Sequence, residues 1–402
     1  MNPGLTSRQA HLTLAALCLG ATVVTLYANS MDGVTDVLVE HARLFGWPRT
    51  DVPDSPAWLR TGLHASTTLA LLLLTNQLLQ QRAGPGPMVA AMSFALSPAC
   101  VDAVASTLGR TEVTVALMTA VAVTLHRRGG VMGRAGAIVA FVLALPLHIG
   151  ALCIPPILLV YDWLYRQRPT RSWIGSYAGL GTATVGSAAL GLFEPSSLPT
   201  QLVQSAPALV AATSWVFPRV WMPVGLQAFD VCKPGLEACA ASSAFSVAIV
   251  TVPLLAALRW WPGSCAKTVV FGWAMSMIGL LPAVSAVAIR GELEGRFAYL
   301  PAMGAAIIWA SCVDAGFVWL RDALHGRWWW MLTGACVGVL WCALGLLSLQ
   351  RVQAWRNAET LFQAELRNDP QDLLAHHALL HIHTRQGQHQ QAAVHARQLQ
   401  RV

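Results

Sequence analysis

The run Trp328-Trp329-Trp330-Met331-Leu332-Thr333-Gly334-Ala335-Cys336-Val337-Gly338-Val339-Leu340-Trp341-Cys342-Ala343-Leu344-Gly345-Leu346-Leu347-Ser348-Leu349-Gln350 holds no charged residue. A helix of about 20 residues crosses the roughly 30 Å hydrocarbon core of a bilayer, so this run is long enough to span. It lacks period-2 alternation, so it reads as a helix and not as a barrel strand. Working outward, similar blocks recur near 10–28, 60–81, 86–100, 112–126, 132–147, 149–165, 172–193, 237–258, 265–286 and 297–318. The block at 86–100 is short and runs into Ser97-Pro98, and 203–223 is apolar but broken by Pro207, Pro218, Arg219 and Pro223. The expected fold class is all-α: a polytopic membrane protein of about eleven transmembrane helices.

Composition agrees. The chain is 55% apolar and 11% charged, against about 25% charged in a soluble domain. With the N-terminus in the cytoplasm and 203–223 not crossing, Arg82, Arg127, Arg128, Arg134, Arg166, Arg168, Arg171, Arg259, Lys267, Arg321 and Arg327 fall inside. That is the excess the positive-inside rule expects. Most acids fall on the other side, with Asp162 and Asp322 as inside exceptions. The rule does not require this, so the acidic outer face points to function there. An odd span count places the C-terminal residues outside. The net charge of +7 follows from topology and a basic, His-rich tail, and calls for no nucleic acid as partner. Scarce lysine with abundant Arg and Ala suggests a GC-rich bacterial genome, hence an inner membrane. Cys232 and Cys239 share one outer loop and could pair on an oxidising face.

Three outer segments carry candidate chemistry. Residues 29–57 hold Asp32, Asp36 and Glu40, acids suited to a divalent metal or a general base, or to a solvated loop. Residues 97–112 hold Asp102, Arg110 and Glu112 at a membrane edge, where ionisable groups are costly unless paired or working. Arg110 suits a phosphate, or an ion pair with Asp102 or Glu112 that ties two helices. Residues 289–301 hold Glu292, Glu294 and Arg296, suited to an anionic headgroup, or to snorkelling with Tyr299 in an aromatic belt. His148 and Asp314 lie within spans and read as cavity residues or helix ties.

The tail reads as helices over Glu359–Asn368, Asp372–Thr384 and Gln390–Leu399. The last two resemble one helix-turn-helix repeat of about 34 residues, which cannot bury its own apolar face. The tail therefore leans on the membrane domain, pairs with a partner, or is a remnant. The expected division is 1–350 and 351–402. His377 and His381 stand four apart, but no Cys or acid accompanies them at regular spacing, and a polar helix face accounts for them.

Several motifs carry a resemblance. Ser97-Pro98 through Val104, then Gly109-Arg110-Thr111-Glu112, resembles His-Pro-x-x-x-Glu-Ala-Val followed by Gly-Arg-Ala-Glu. Arg296-Phe297-Ala298-Tyr299-Leu300-Pro301-Ala302-Met303-Gly304 resembles Glu-Arg-x-x-Tyr-Leu-Pro-Ser-x-Gly. Leu158-Leu159-Val160-Tyr161-Asp162 is similar to Leu-Leu-x-Tyr-Asp at a cytoplasmic helix end. Trp355, Glu359, Leu361-Phe362 and Pro370 resemble the passage into tetratricopeptide repeats. In this order the set resembles the transmembrane and tetratricopeptide-repeat protein O-mannosyltransferases and their bacterial relatives, of the GT-C fold. The resemblance implies a glycosyltransferase that takes a hexose such as mannose from a polyprenyl-phosphate carrier. It would pass the sugar to a protein or envelope glycan on the extracytoplasmic face. Asp36 would be the catalytic acid, with Asp32 and Glu40 in reserve, acting as base or as a ligand of Mg²⁺ or Mn²⁺. Arg110 with Glu112, and Arg296, would hold the carrier phosphate, with Asp102, Glu294 and His148 nearby. The chain departs from the pattern at Ser97 for His, at Gly295 for Glu (Glu294 stands one step earlier), at His148-Ile149 for Lys-Glu, and at Val37 for the second Asp of a pair. The alternative is an inactive protein of the same fold that binds a lipid carrier or partner through its tail.

Overall fold

The computed structural model describes chiefly residues 57–79, 85–106, 109–166, 263–284, 292–323 and 328–400. It also describes the strand 229–231 and a few positions among 19–27, 175–184, 212–221 and 251–259. The expected spans 10–28, 172–193 and 237–258, the segment 203–223 and the Cys232–Cys239 pair fall largely or wholly outside these residues.

The described chain is helical apart from one short ribbon. In order come α1 (Ala57–Leu78), α2 (Gly86–Ala95), α3 (Pro98–Ala105), α4 (Arg110–Arg128), α5 (Gly130–Ala144), a 3₁₀ turn (Ile149–Cys153) running into α6 (Ile154–Tyr165), β1 (Phe229–Val231), α7 (Gly263–Ile278), β2 (Glu292–Glu294), a second 3₁₀ turn (Gly295–Ala298), α8 (Tyr299–Ala323), α9 (Trp328–Ala354), α10 (Ala358–Asn368), α11 (Leu373–Arg385) and α12 (His389–Leu399). The ribbon, absent from the sequence reading, pairs β1 antiparallel to β2 with Asp230 opposite Leu293.

Among the described residues, three helical stretches are long and apolar enough to cross a membrane: Cys265–Val284, Gly295–Ala323 and Trp328–Ala354. The bent pair α2–α3 makes a fourth if counted as one span. The stretch that decided the sequence reading is the most peripheral. Only 11% of its most apolar window is buried, against 61% and 56% for the other two. An apolar helix left uncovered by protein is the pattern of a lipid-facing span.

The inner helices are held by close backbone approach. Gly272 on α7 and Gly304 on α8 face each other, so that a Cβ added at Gly272 would lie 2.7 Å from Gly304 O and one at Gly304 would overlap Gly272 O. Ser276 Oγ donates to Pro301 O at 2.9 Å and Cys265 Sγ to Ser311 O at 3.3 Å across the same seam. Small residues admitting close backbones, with hydroxyl bonds between helices, replace the hydrophobic drive that lipid cannot supply. On α8, Asp314 Oδ1 accepts from Gly86 N at 3.3 Å, tying α8 to α2. Tyr299 does not sit in an interfacial belt. It is fully buried, its hydroxyl 2.7 Å from His64 Nδ1 of α1 and its ring edge-on to Phe94.

The chain breaks at Ser97. Pro98 disfavours helical ψ in the residue before it and has no N–H. Ser97 is accordingly extended (ψ 122°), and α3 restarts at Pro98, 52° off α2. The expected outer loop after Ser97 is thus a buried helix, Pro98–Ala105. At the opposite end of α4, buried Asp162 explains its exceptional place on the basic side. His126 Nε2 lies 2.9 Å from Asp162 Oδ2, Arg166 Nε 3.2 Å from Oδ1, and Tyr177 Oη donates to Oδ2 at 3.2 Å.

The tail leans on the membrane helices. Leu361, Phe362, Leu374, Ala375, Ala378 and Leu379 belong to the same apolar cluster as the helical bundle. Asn357 and Thr360 form a reciprocal capping box on α10, Asp372 caps α11 through Leu374 N and Ala375 N, and Gly387 (φ 73°) turns α11 into α12. The histidines His377 and His381 join no metal-binding group among the described residues. Those that meet are instead His376, His383 and His395. His376 Nδ1 and His395 Nδ1 lie 3.0 Å apart, and the His383 and His395 rings stack at 5.5 Å.

Two measurements test these packing claims. Gly304→Val should destabilise the protein by about 2 kcal/mol or more, because overpacking here displaces backbone. A nanodisc melting transition unchanged by this substitution would contradict the close crossing. Burial, with His376 and His383 adding repulsion when charged, lowers the pKa of His395. An imidazole whose folded pKa is depressed binds its proton more readily when unfolded, so tail stability falls as pH drops below the ordinary imidazole value of about 6.5. Hydrogen exchange of α11 and α12, corrected for intrinsic rates, should show easier opening at pH 5.5 than at pH 7.5, and His395→Gln should reduce the difference.

Candidate functional site

Four of the sequence candidates meet at one end of the bundle. Glu112 occupies the first turn of α4, where a carboxylate is favoured by the helix dipole. Thr111 Oγ1 donates to its Oε2 at 2.8 Å. Its other oxygen, Oε1, lies 3.4 Å from Arg296 Nε and 3.5 Å from His148 Nε2. Arg296 follows the β1–β2 ribbon directly. Its Nη2 donates to Glu294 Oε1 at 2.9 Å, its Nε lies 2.8 Å from Oε2, and its guanidinium sits 5.2 Å from the Phe297 ring centre.

The acid expected beside this arginine is therefore supplied from one position earlier. Glu294 is extended (φ −117°, ψ 140°) and Gly295 opens a 3₁₀ turn, so residues 294 and 296 meet around a corner. Gly295 itself packs against Asp102 so closely that a Cβ would overlap Asp102 Oδ2. Any larger residue at 295, a glutamate included, would collide there.

His148 caps the following 3₁₀ turn, its Nδ1 accepting from Gly150 N at 3.1 Å. With Nδ1 an acceptor, a neutral imidazole carries its proton on Nε2, the atom that faces Glu112. Glu112, His148 and Arg296 line a small cleft with Val115, Gly150, Gly279, Pro282, Phe297 and Leu300, a cavity of about 20 Å³, on the scale of one water; Glu294 stands behind the arginine and is not part of the lining. Glu112 Oε1 and Arg296 Nε are both shielded from solvent, yet neither completes a well-aligned hydrogen bond among the described residues. Buried polar atoms of this kind call for an explanation, and a water or a ligand oxygen in the adjoining cavity supplies one.

Two other candidates stand apart. Asp102 does not face the cleft as a ligand group. Arg351 grips it through Nε (2.8 Å) and Nη2 (3.2 Å), and Trp355 Nε1 donates to it at 2.6 Å. Its role is structural because its oxygens are consumed by the last span. Arg110 is half-buried and pairs with neither Asp102 nor Glu112. Nor does it line the cleft, because residues two apart on a helix do not share a face. Asp32, Asp36 and Glu40, with Asp36 as metal ligand, lie outside the described residues. Arg351 and Glu365 carry no signal in the sequence, and Trp355 stands out there only in the passage toward the tail repeats. A lone Arg at the end of an apolar run reads as a snorkelling side chain, and only the fold reveals its buried partners.

No family model, curated protein or solved structure matches the chain.

Glu112→Gln removes the negative charge between Arg296 and His148, leaving Glu294 as the arginine's partner. A cost of about 2 kcal/mol is expected, below the 3–5 kcal/mol of a fully orphaned buried charge. A melting transition equal to wild type would show that the Glu112 contacts carry no net stability.

Proposed function

We propose that this chain is a membrane glycosyltransferase of the GT-C type. It takes a hexose, such as mannose, from a polyprenyl-phosphate carrier and glycosylates a protein or envelope glycan. The observation that supports this best is the buried cluster of Glu112, His148, Arg296 and Glu294 at one end of an apolar bundle. Ionisable groups in such surroundings are costly, and they are characteristic of substrate sites. The proposal includes the eleven-span topology, a cytoplasmic N-terminus, an extracytoplasmic tail of tetratricopeptide type, and a bacterial inner membrane.

In this reading Arg296 stabilises the phosphate that leaves with the lipid, its guanidinium moving from Glu294 to the phosphate oxygens. His148, its proton on Nε2, keeps Glu112 oriented beside it. Asp36 withdraws the proton of the acceptor hydroxyl as the sugar–phosphate bond breaks. The carboxylates of this cluster do not suit Mg²⁺ or Mn²⁺, since Glu112 and Glu294 both face Arg296, whereas such a cation needs oxygen donors without a competing guanidinium. Asp36, the expected ligand of such a cation, lies outside the described residues.

One observation favours the second reading, an inactive carrier-binding protein. The arginine of the cleft is already paired, held by two carboxylates that an incoming phosphate would have to displace. Incubating purified protein with radiolabelled polyprenyl-phosphate mannose and a membrane extract separates the two. Wild type should transfer label, and Asp36→Asn and Arg296→Ala should each lower the rate about a hundredfold. No transfer by wild type, or equal transfer by all three, would remove the catalytic assignment.

A further inference from the structure

The cleft's arginine stands at the end of a chain of buried charges that begins in the tail. Glu365 of α10 accepts from Arg351 Nη1 at 3.2 Å. The Nε and Nη2 of Arg351 hold both oxygens of Asp102 at 2.8 and 3.2 Å. Trp355 Nε1 adds a bond of 2.6 Å to Oδ1. Asp102 Oδ2 lies against the Cα of Gly295, with no room for a methyl group between them. The next residue is Arg296, in the same 3₁₀ turn. Arg351, Asp102, Glu365 and Arg296 are all buried.

Each link is stiff. A guanidinium is planar and holds a carboxylate at two points, so neither group rotates without breaking both bonds. Away from water, breaking such a pair is costly. The contact at Gly295 is steric: if the Asp102 carboxylate swings, the seat of the 3₁₀ turn changes shape. The sequence separation is large, yet only three side chains lie between the tail helix and the cleft's cation.

We propose that Arg351 is a positioning residue for the cleft. Through Glu365, Arg351 and Asp102, the tail helix α10 sets where Arg296 stands, and with it the cleft's affinity for a phosphate oxyanion. The inference rests on the reading of the cleft as an oxyanion site. It gives the tail a place in that site without any residue of α10 entering the cleft.

The test measures binding of polyprenyl monophosphate to the full chain in nanodiscs, with inorganic phosphate as a second probe. The relay predicts the same relative loss for either probe, and the tighter of the two identifies the source of the phosphate. Arg296→Ala tests the underlying reading and should weaken binding about a hundredfold, leaving residual binding that excess probe can measure. Glu365→Gln, which keeps the shape of the side chain, should weaken binding about three- to tenfold. Arg351→Met should weaken it at least as much, and Arg351→Lys, which still brings a cation to Asp102, should recover most of the loss. In an Arg296→Ala background with excess probe, Glu365→Gln should cause no further loss, the non-additivity expected of one pathway. Melting transitions report folding separately, and Glu365→Gln decides the matter if the Arg351 variants do not fold. If Arg296→Ala weakens binding while folded Glu365→Gln and Arg351→Met bind as wild type does, the relay is wrong and the oxyanion site stands. If Arg296→Ala binds both probes as wild type does, the oxyanion site and the relay fall together.

Discussion

The carboxylate of Asp102 is buried where the last apolar helix, the broken helix pair and the tail converge. Arg351 and Trp355 neutralise and hydrogen-bond it, and Glu365 takes the remaining arm of Arg351. A carboxylate so placed cannot be left alone, since losing its partner would strand a charge in apolar surroundings at a cost of about 3–5 kcal/mol. The constraint works in both directions. It draws α9, otherwise bound to the bundle by little buried surface, against α3. It also draws α10 beneath them, so the tail becomes part of the same apolar cluster as the helices.

That node shares one end of the bundle with the cleft. The ribbon carries Glu294 to the edge, the 3₁₀ turn carries Arg296 inward, and Gly295 between them fits over Asp102. The far end has its own closed cluster around Asp162, with His126, Arg166 and Tyr177. The two clusters differ in make-up. At Asp162 a single acid meets two bases and a phenol. At Glu112 two acids share one arginine, and a small cavity lies beside them.

The motif departures acquire physical content in this setting. The glycine in the place of a glutamate is required by the Asp102 contact, and the displaced Glu294 still reaches the arginine because the chain turns a corner between them. His148, where the pattern often has a charged pair, caps a 3₁₀ turn with one nitrogen and presents the other to Glu112. These are consistent local rearrangements within one cleft.

Much of the architecture was legible in the linear chain. Long uncharged runs imply helices in lipid, since a backbone there must satisfy itself. Pro98 implies a break, and Asp372 stands at the start of the second tail helix as the sequence reading placed it. The candidates Glu112, Glu294, Arg296 and His148 could be picked out because charge at the end of an apolar run is costly wherever it occurs. Tertiary structure alone decided which of them meet. The separation of Arg110 from Glu112, the withdrawal of Asp102 into a structural role, and the recruitment of Arg351 and Glu365 depend on which helix faces are turned together. Periodicity gives each helix its faces, but the partner of a buried charge is chosen by packing between segments far apart in the chain. A helical protein with costly charges at its helix ends thus follows from residue order alone, whereas which charges close a structure and which line a cleft follows from the packing of distant segments.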